Sequence, residues 1–237
     1  MSATTAAIAA PTTPKYGHLF FEGLWRMSGI QAVAFLVIGS VVAGFGPGVG
    51  ASPESLTAYY AGNSTRILIA TPILGLGILN LLWFAAAIRT ALADAGLDGW
   101  GAAATAASSA FGAIAFLLIA VQAGLAYTIA GSGSEALTSG LNDVIWAAFV
   151  LTSLPRAMLI MAGSFGLWRV GIISNRVFVV AVGAVFAGVF ASTTWLPDGF
   201  WAPDGAYSRI IFPAIGLLWV VWISRVLARV PSTRNGF

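Results

Sequence analysis

One basic side chain sits where a membrane would least tolerate it. Between Leu141 and Trp168 the chain reads LNDVIWAAFVLTSLPRAMLIMAGSFGLW, and the charge at its middle is Arg156, directly after Pro155. An apolar helix of roughly 20 residues crosses a bilayer. A charge at the centre of such a helix costs at least about 2.5–3.5 kcal/mol on insertion scales. Arginine cannot escape by losing its proton, because the guanidinium pKa lies above about 12, so its five donors need acceptors. Asn80 and Gln122 fall in the middle third of neighbouring apolar stretches, with Ser40 and Ser153 near the same depth. Pro155 has no N–H, so the carbonyl of Leu151 loses its helical partner and becomes a further acceptor. Asp143, 13 residues before Arg156, is about 20 Å away along a helix and out of reach. Three readings follow. Arg156 is satisfied by these groups and fixes helix packing; it meets an anionic or strongly polar ligand in a cavity; or it snorkels to a thinner, wetter site.

Other chemistries have little to work with. The chain has no cysteine and a single histidine, His18, so it offers no thiol nucleophile, disulfide framework, histidine-rich metal cluster or bis-histidine haem site. Paired carboxylates are absent from the apolar stretches, and no base stands near a hydroxyl there as a hydrolytic triad requires. An enzyme is disfavoured, and no cofactor or metal is expected. The 28 glycines, Gly75, Gly77, Gly183 and Gly188 among them, are expected to let helices approach closely.

The elements that would position Arg156 are legible from composition and charge. Hydrophobic residues make up 59% of the 237 positions and charged residues 8%, with a mean hydropathy of +0.91. A soluble domain carries roughly 25% charged residues. The fold class expected is an all-α polytopic membrane bundle of six helices: Gly29–Phe45, Ile67–Ile88, Ser108–Ala130, Val144–Leu167, Val177–Trp195 and Ile210–Ala228. Residues 1–14, rich in Ala, Thr and Pro, read as a disordered tail that is retained. The membrane domain then covers 15–230 and a cytoplasmic tail 231–237. Residues 16–27 read as an interfacial helix with His18, Glu22 and Arg26 on one face; His18 is either solvated there or a titrating group near the surface.

Basic residues set orientation. Lys15, Arg26, Arg89, Arg169, Arg176, Arg225, Arg229 and Arg234 flank one side; Arg66 and Arg209 flank the other, with Glu54, Glu135, Asp143, Asp198 and Asp204. The bias puts both termini in the cytoplasm of a multi-pass protein of the inner or plasma membrane. Ser52 as N-cap, Pro53 at the first helical position and Gly62 as terminator predict a short external helix over 53–61. LPDGFWAPDGAY predicts a compact loop on the outer surface. Arg66 and Arg209 each begin an even-numbered span, where a helix N-terminus already disfavours a cation. Compensation by Glu54, Asp198 or Asp204 is expected; an anionic ligand or lipid headgroup at that face is the alternative.

Weak internal matches join 32–44 to 113–124 and 65–76 to 208–218, and Gly-Leu-Trp-Arg occurs at 23–26 and 166–169. They are compatible with three parallel helical hairpins. The charged start before span one, the Asn63-Ser64-Thr65-Arg66 ending of the external segment and the basic turn in GLWRVGIISNRVFVVAVGAVFAG (166–188) carry a resemblance. Over about residues 22–230 the chain resembles the bacterial six-helix membrane family catalogued as domain of unknown function 4386. That resemblance implies an integral-membrane bundle and no reaction. Where the family tends to have histidine and glycine in span four, this chain has Pro155-Arg156. Two functions are then in view: small-molecule or anion binding or transport at Arg156, or a non-catalytic subunit packed on another membrane protein. Expected partners are membrane lipid and another integral membrane protein or a second copy, with no nucleic acid.

Overall fold

The structure, a computed structural model, describes Trp25 and residues 27–229. The expected interfacial helix, apart from Trp25 and Met27, and both tails lie outside the described residues. Among the described residues the chain is wholly helical. It forms α1 (Ser28–Ala43), α2 (Pro53–Asp94) and α3 (Asp98–Gly124), the last running into a π-helical turn at Leu125–Ile129. After these come α4 (Glu135–Leu151), α5 (Ser153–Arg169), α6 (Asn175–Ala191), a second π turn at Tyr207–Ile211, and α7 (Phe212–Arg229).

Four helical rods are long and apolar enough to cross a membrane: Pro53–Asp94, Asp98–Ile129, Glu135–Arg169 and Tyr207–Arg229. α1 and α6, which coincide with the first and fifth expected spans, are apolar but only 16 and 17 residues long. The outer surface is as apolar as the interior. Val41, Trp83, Leu117, Val179 and Leu218 are each more than half exposed, an arrangement water would penalise and hydrocarbon would not.

The expected external helix over 53–61 does not exist as a separate element. Ser52 caps as anticipated, its Oγ accepting from the Ser55 N–H at 3.3 Å, and Pro53 opens the helix. Gly62, however, does not end it, and α2 runs on to Asp94, 42 residues in all. A glycine inside a helix costs about 1 kcal/mol against alanine, too little to stop a helix whose next turns are buried at Ile67 and Ala70. The internal matches also begin differently: 208–218 starts inside a π turn, whereas 65–76 is regular α-helix.

α2 is the axis of the bundle, with α1 and α3 on either side; α5 packs on α3 and α6, and α7 closes against α1. Two apolar cores result. One gathers Phe84, Ile88, Leu92, Ile160, Leu167 and Ile223. The other, toward the opposite end of α2, gathers Leu56, Tyr60, Ile67, Leu125 and Ile145. Glycine contributes where expected at two of the positions named above. A β-carbon on Gly77 would lie 2.8 Å from Leu36 Cγ, and one on Gly188 would lie 2.8 Å from both Ala157 Cβ and Phe212 Cζ. Gly183 is a correction: nothing stands within 4 Å of where its side chain would be, so it is not a packing glycine.

Candidate functional site

The site is built on one face of a broken helix. Pro155 cannot donate to Leu151 and its ring crowds the preceding turn, so α4 and α5 part at Thr152. Ile145, Phe149, Thr152 and Arg156 follow one another at spacings of three and four residues, which puts them on one face. All four line a cavity of about 310 Å³, which opens between the two cores.

Arg156 is held there by its own helix. Its Nε donates to the Thr152 carbonyl at 3.2 Å, and its Nη2 donates to Thr152 Oγ1 at 2.9 Å. The Thr152 hydroxyl passes its proton on to the Phe149 carbonyl at 2.6 Å. Three rings surround the guanidinium carbon, with centroids 4.7 Å away at Phe212, 5.5 Å at Phe149 and 5.7 Å at Phe111. A cation within about 6 Å of a ring face is attracted by the ring quadrupole, more strongly once desolvated. Among the described residues, protein acceptors engage two of the five guanidinium N–H groups. The other three have none among these residues.

The acceptors anticipated for Arg156 are only partly those it meets. Gln122 and Ser40 line the cavity, and Gln122 makes no side-chain hydrogen bond to the described residues. Asn80 does not reach the cavity: its Nδ2 donates back to the Leu76 carbonyl at 2.9 Å on its own helix. Ser153 is buried with no partner for its hydroxyl among the described residues and lies off the cavity wall. The carbonyl used is that of Thr152, one residue after Leu151, because an arginine at i+4 folds back onto the turn below it, and Leu151 faces outward at 47% exposure.

A second arginine lines the same cavity. Arg209, in the π turn before α7, places its guanidinium carbon 4.4 Å from the Phe45 centroid and 5.4 Å from that of Trp146. Its Nη2 donates to the Gly46 carbonyl at 3.3 Å. Isolated π turns recur at functional sites in helices. The segment beyond α1 roofs the cavity with Gly44, Phe45, Gly46 and Pro47. Gly44 has φ +75°, a conformation that costs glycine little and other residues more. α4 pins the roof from one side: Trp146 Nε1 donates to Pro47 O at 2.9 Å, and Asn142 Nδ2 to Gly48 O at 3.0 Å. The Gly50 N–H donates to Asp143 Oδ1 at 3.1 Å. From the other side, Arg66 Nε donates to Val42 O at 3.1 Å and Nη1 to Asn63 Oδ1 at 3.1 Å.

The outer-face acids therefore do not pair with Arg66 and Arg209. Among the described residues one ion pair forms, between exposed Arg89 Nε and Asp98 Oδ1 at 3.3 Å. Glu54 stands in the first turn of α2, 12 residues and roughly 18 Å along the axis from Arg66. It serves the helix start instead. Lying well before the apolar stretch from Ile67, its carboxyl is held below the usual carboxylate range by a backbone hydrogen bond and by Ser52. Arg66 is deep within a continuous helix and feels no exposed N-terminus. Asp204 packs on Gly48, occupying the space a side chain there would need, and Asp198 is exposed. Carbonyls of the roof and aromatic rings replace the expected carboxylates.

Among the described residues no group of three or more His, Asp or Glu converges to hold a metal. Thr152, Phe111, Phe149, Phe212, Tyr60, Asn142 and Trp146 escaped the sequence reading; the face-sharing spacing of Phe149, Thr152 and Arg156 was the signal available for two of them. No protein-family model matches the chain, and neither a curated protein nor a solved structure matches it.

Proposed function

We propose that this chain is an integral membrane protein that binds a small anion at Arg156, as the recognition step of transport or ligand sensing. The observation that carries the reading is a shared wall: Arg156 and Arg209 line one cavity, and among the described residues no carboxylate lines it with them. Two cations in apolar surroundings, where Coulomb terms are far larger than in water, make an anion the favoured occupant. Transport draws support from the irregular backbone at the site. Non-helical segments at membrane depth are tolerated where they line a cavity, and carriers bind substrate at broken helices; here the roof, the Thr152 break and the Arg209 turn all meet the cavity. The family resemblance adds no reaction to this. A non-catalytic subunit with Arg156 paired to a partner's carboxylate would need the guanidinium on the outer surface, whereas Arg156 lines the cavity.

The test is thermal unfolding of the detergent-solubilised protein against a panel of small anions, beside Arg156→Met. A ligand that binds only the folded state stabilises it by about 2.7 kcal/mol at 100 times its dissociation constant. We expect at least one anion to raise the wild-type midpoint and to leave Arg156→Met unmoved. The variant itself should fold as well as wild type, since exchanging a buried charge for an apolar chain is often neutral or stabilising. A panel in which no anion moves the wild-type midpoint ends the anion reading.

A further inference from the structure

We infer that the cavity takes a compact amphipathic carboxylate of about ten non-hydrogen atoms in all, with its head on Arg156 and Gln122 and a hydrocarbon or aromatic body. This rests on the anion-site reading and narrows it to a ligand class. The polar groups on the wall are unevenly committed. Asn142 is spent on Gly48 and accepts from Tyr60 Oη at 3.4 Å, and Thr152 is spent on Arg156 and Phe149. The donors left over on the wall are the unengaged N–H groups of Arg156 and Arg209, the amide of Gln122 and the Ser40 hydroxyl. That supply suits a carboxylate, whose two oxygens a guanidinium can engage side by side.

Away from these groups the wall is largely hydrocarbon. Leu36, Leu74, Ile78, Leu118, Ile119 and Ile145 present hydrocarbon. A phosphate or sulfate would leave oxygens facing these side chains without donors, which is costly in apolar surroundings. A hydrocarbon body gains there instead. Volume sets the size: about 310 Å³ equals roughly ten times the 30 Å³ share of a liquid water, and each non-hydrogen atom of a small organic ligand needs comparable room. A long lipid chain would have to extend out of this space. Arg209, at the roof, adds a second positive charge that disfavours neutral and cationic competitors.

The experiment measures binding of straight-chain carboxylates from acetate to palmitate to the full-length protein in a non-ionic detergent, by isothermal titration. Octanamide serves as the uncharged isostere, inorganic phosphate as the apolar-free anion, and Arg156→Met as the control for micelle partition. Affinity should rise about fourfold per added methylene, the value of one buried CH₂, reach its maximum near eight carbons and fall by palmitate. Octanamide should bind at least tenfold more weakly than octanoate. Ala115→Leu, which fills part of the cavity and leaves both arginines in the sequence, should move the maximum to a shorter chain while acetate binding persists. If phosphate binds as tightly as octanoate, or affinity is flat with chain length, the site is an anion site without an amphipathic ligand and this inference is overturned. Affinity still climbing at palmitate overturns it in favour of a lipid. Absence of binding by every anion removes the anion reading along with it.

Discussion

At the scale of the residue, the question is how a guanidinium lives inside an apolar bundle without a carboxylate. Thr152 is the first part of the answer, because one side chain and its carbonyl take two donors of Arg156. Thr152→Val keeps the shape and deletes the hydroxyl. Losing a hydrogen bond from a charged group costs about 1.5–3 kcal/mol, less where water can replace it, and the open cavity permits some replacement. We expect a loss of about 1–2 kcal/mol in thermal or denaturant unfolding. The same change in the Arg156→Met background should cost about 1 kcal/mol less, which is a coupling of the size found between touching residues. Equal costs in both backgrounds would mean that the hydroxyl does nothing for the arginine. Arg156 itself was legible in the sequence, because an unpaired charge within an apolar run stands out by composition alone. Its surroundings were not. Three of its neighbours are phenylalanines, and 15 phenylalanines in such a chain give no sign of which ones converge. Asn80 misled because depth along a span was readable while the direction a side chain faces around the helix was not.

At the scale of the element, the decisive piece is the segment between α1 and α2, which works as a roof and not as a loop over the bilayer surface. Its backbone groups are satisfied by side chains from α4 and the turn before α7, an arrangement no local pattern announces because the partners lie up to 163 positions apart. The glycines of 44–50 were visible; that Asn142 and Trp146 would hold them was not. Asn142 is 2% exposed and bridges the Gly48 carbonyl and the Tyr60 hydroxyl. Asn142→Ala strands both groups in a buried place, at a cost of about 1–3 kcal/mol. Hydrogen exchange should find the amides of residues 46–50 opening faster in that variant while the α5 amides keep their protection. Trp146→Phe, which removes the bond to Pro47 and keeps an aromatic ring beside Arg209, should loosen the roof less. Unchanged exchange across 46–50 in both variants would show that the roof stands without α4. The helix run-on through Gly62 belongs to this scale as well. The capping signals at Ser52 and Pro53 were right, and the stop was wrong because burial further along α2 outweighs one glycine.

At the scale of the whole molecule, the count of crossings decides where the cavity opens. Four rods clear the length required of a span, while α1 and α6 extend about 24 and 26 Å at 1.5 Å per residue, against a hydrocarbon core of about 30 Å. Short spans survive by thinning the bilayer locally and by letting flanking arginines reach the headgroups, and Arg176 opens α6 in a position to do so. If all six rods cross, the two termini share a side, and the arginine bias makes that side the cytoplasm. If α1 or α6 alone fails to cross, the parity changes and the termini part. If both fail, the termini agree again, but the two ends of α6 lie on one face. The chain has no native cysteine, so single cysteines at Ser55, Ser174, Asp198 and Thr233, probed with a membrane-impermeant maleimide, decide whether α6 crosses and on which side residue 233 lies. We expect labelling from outside intact cells at 55 and 198, and at 174 and 233 only after permeabilisation. Labelling of 233 from outside would overturn the orientation, and identical access at 174 and 198 would remove α6 from the spans. The outcome matters for the cavity, because Ser55 follows the roof by only a few residues: a label there from outside puts the roof, and Arg209 beneath it, at the outer mouth of the site.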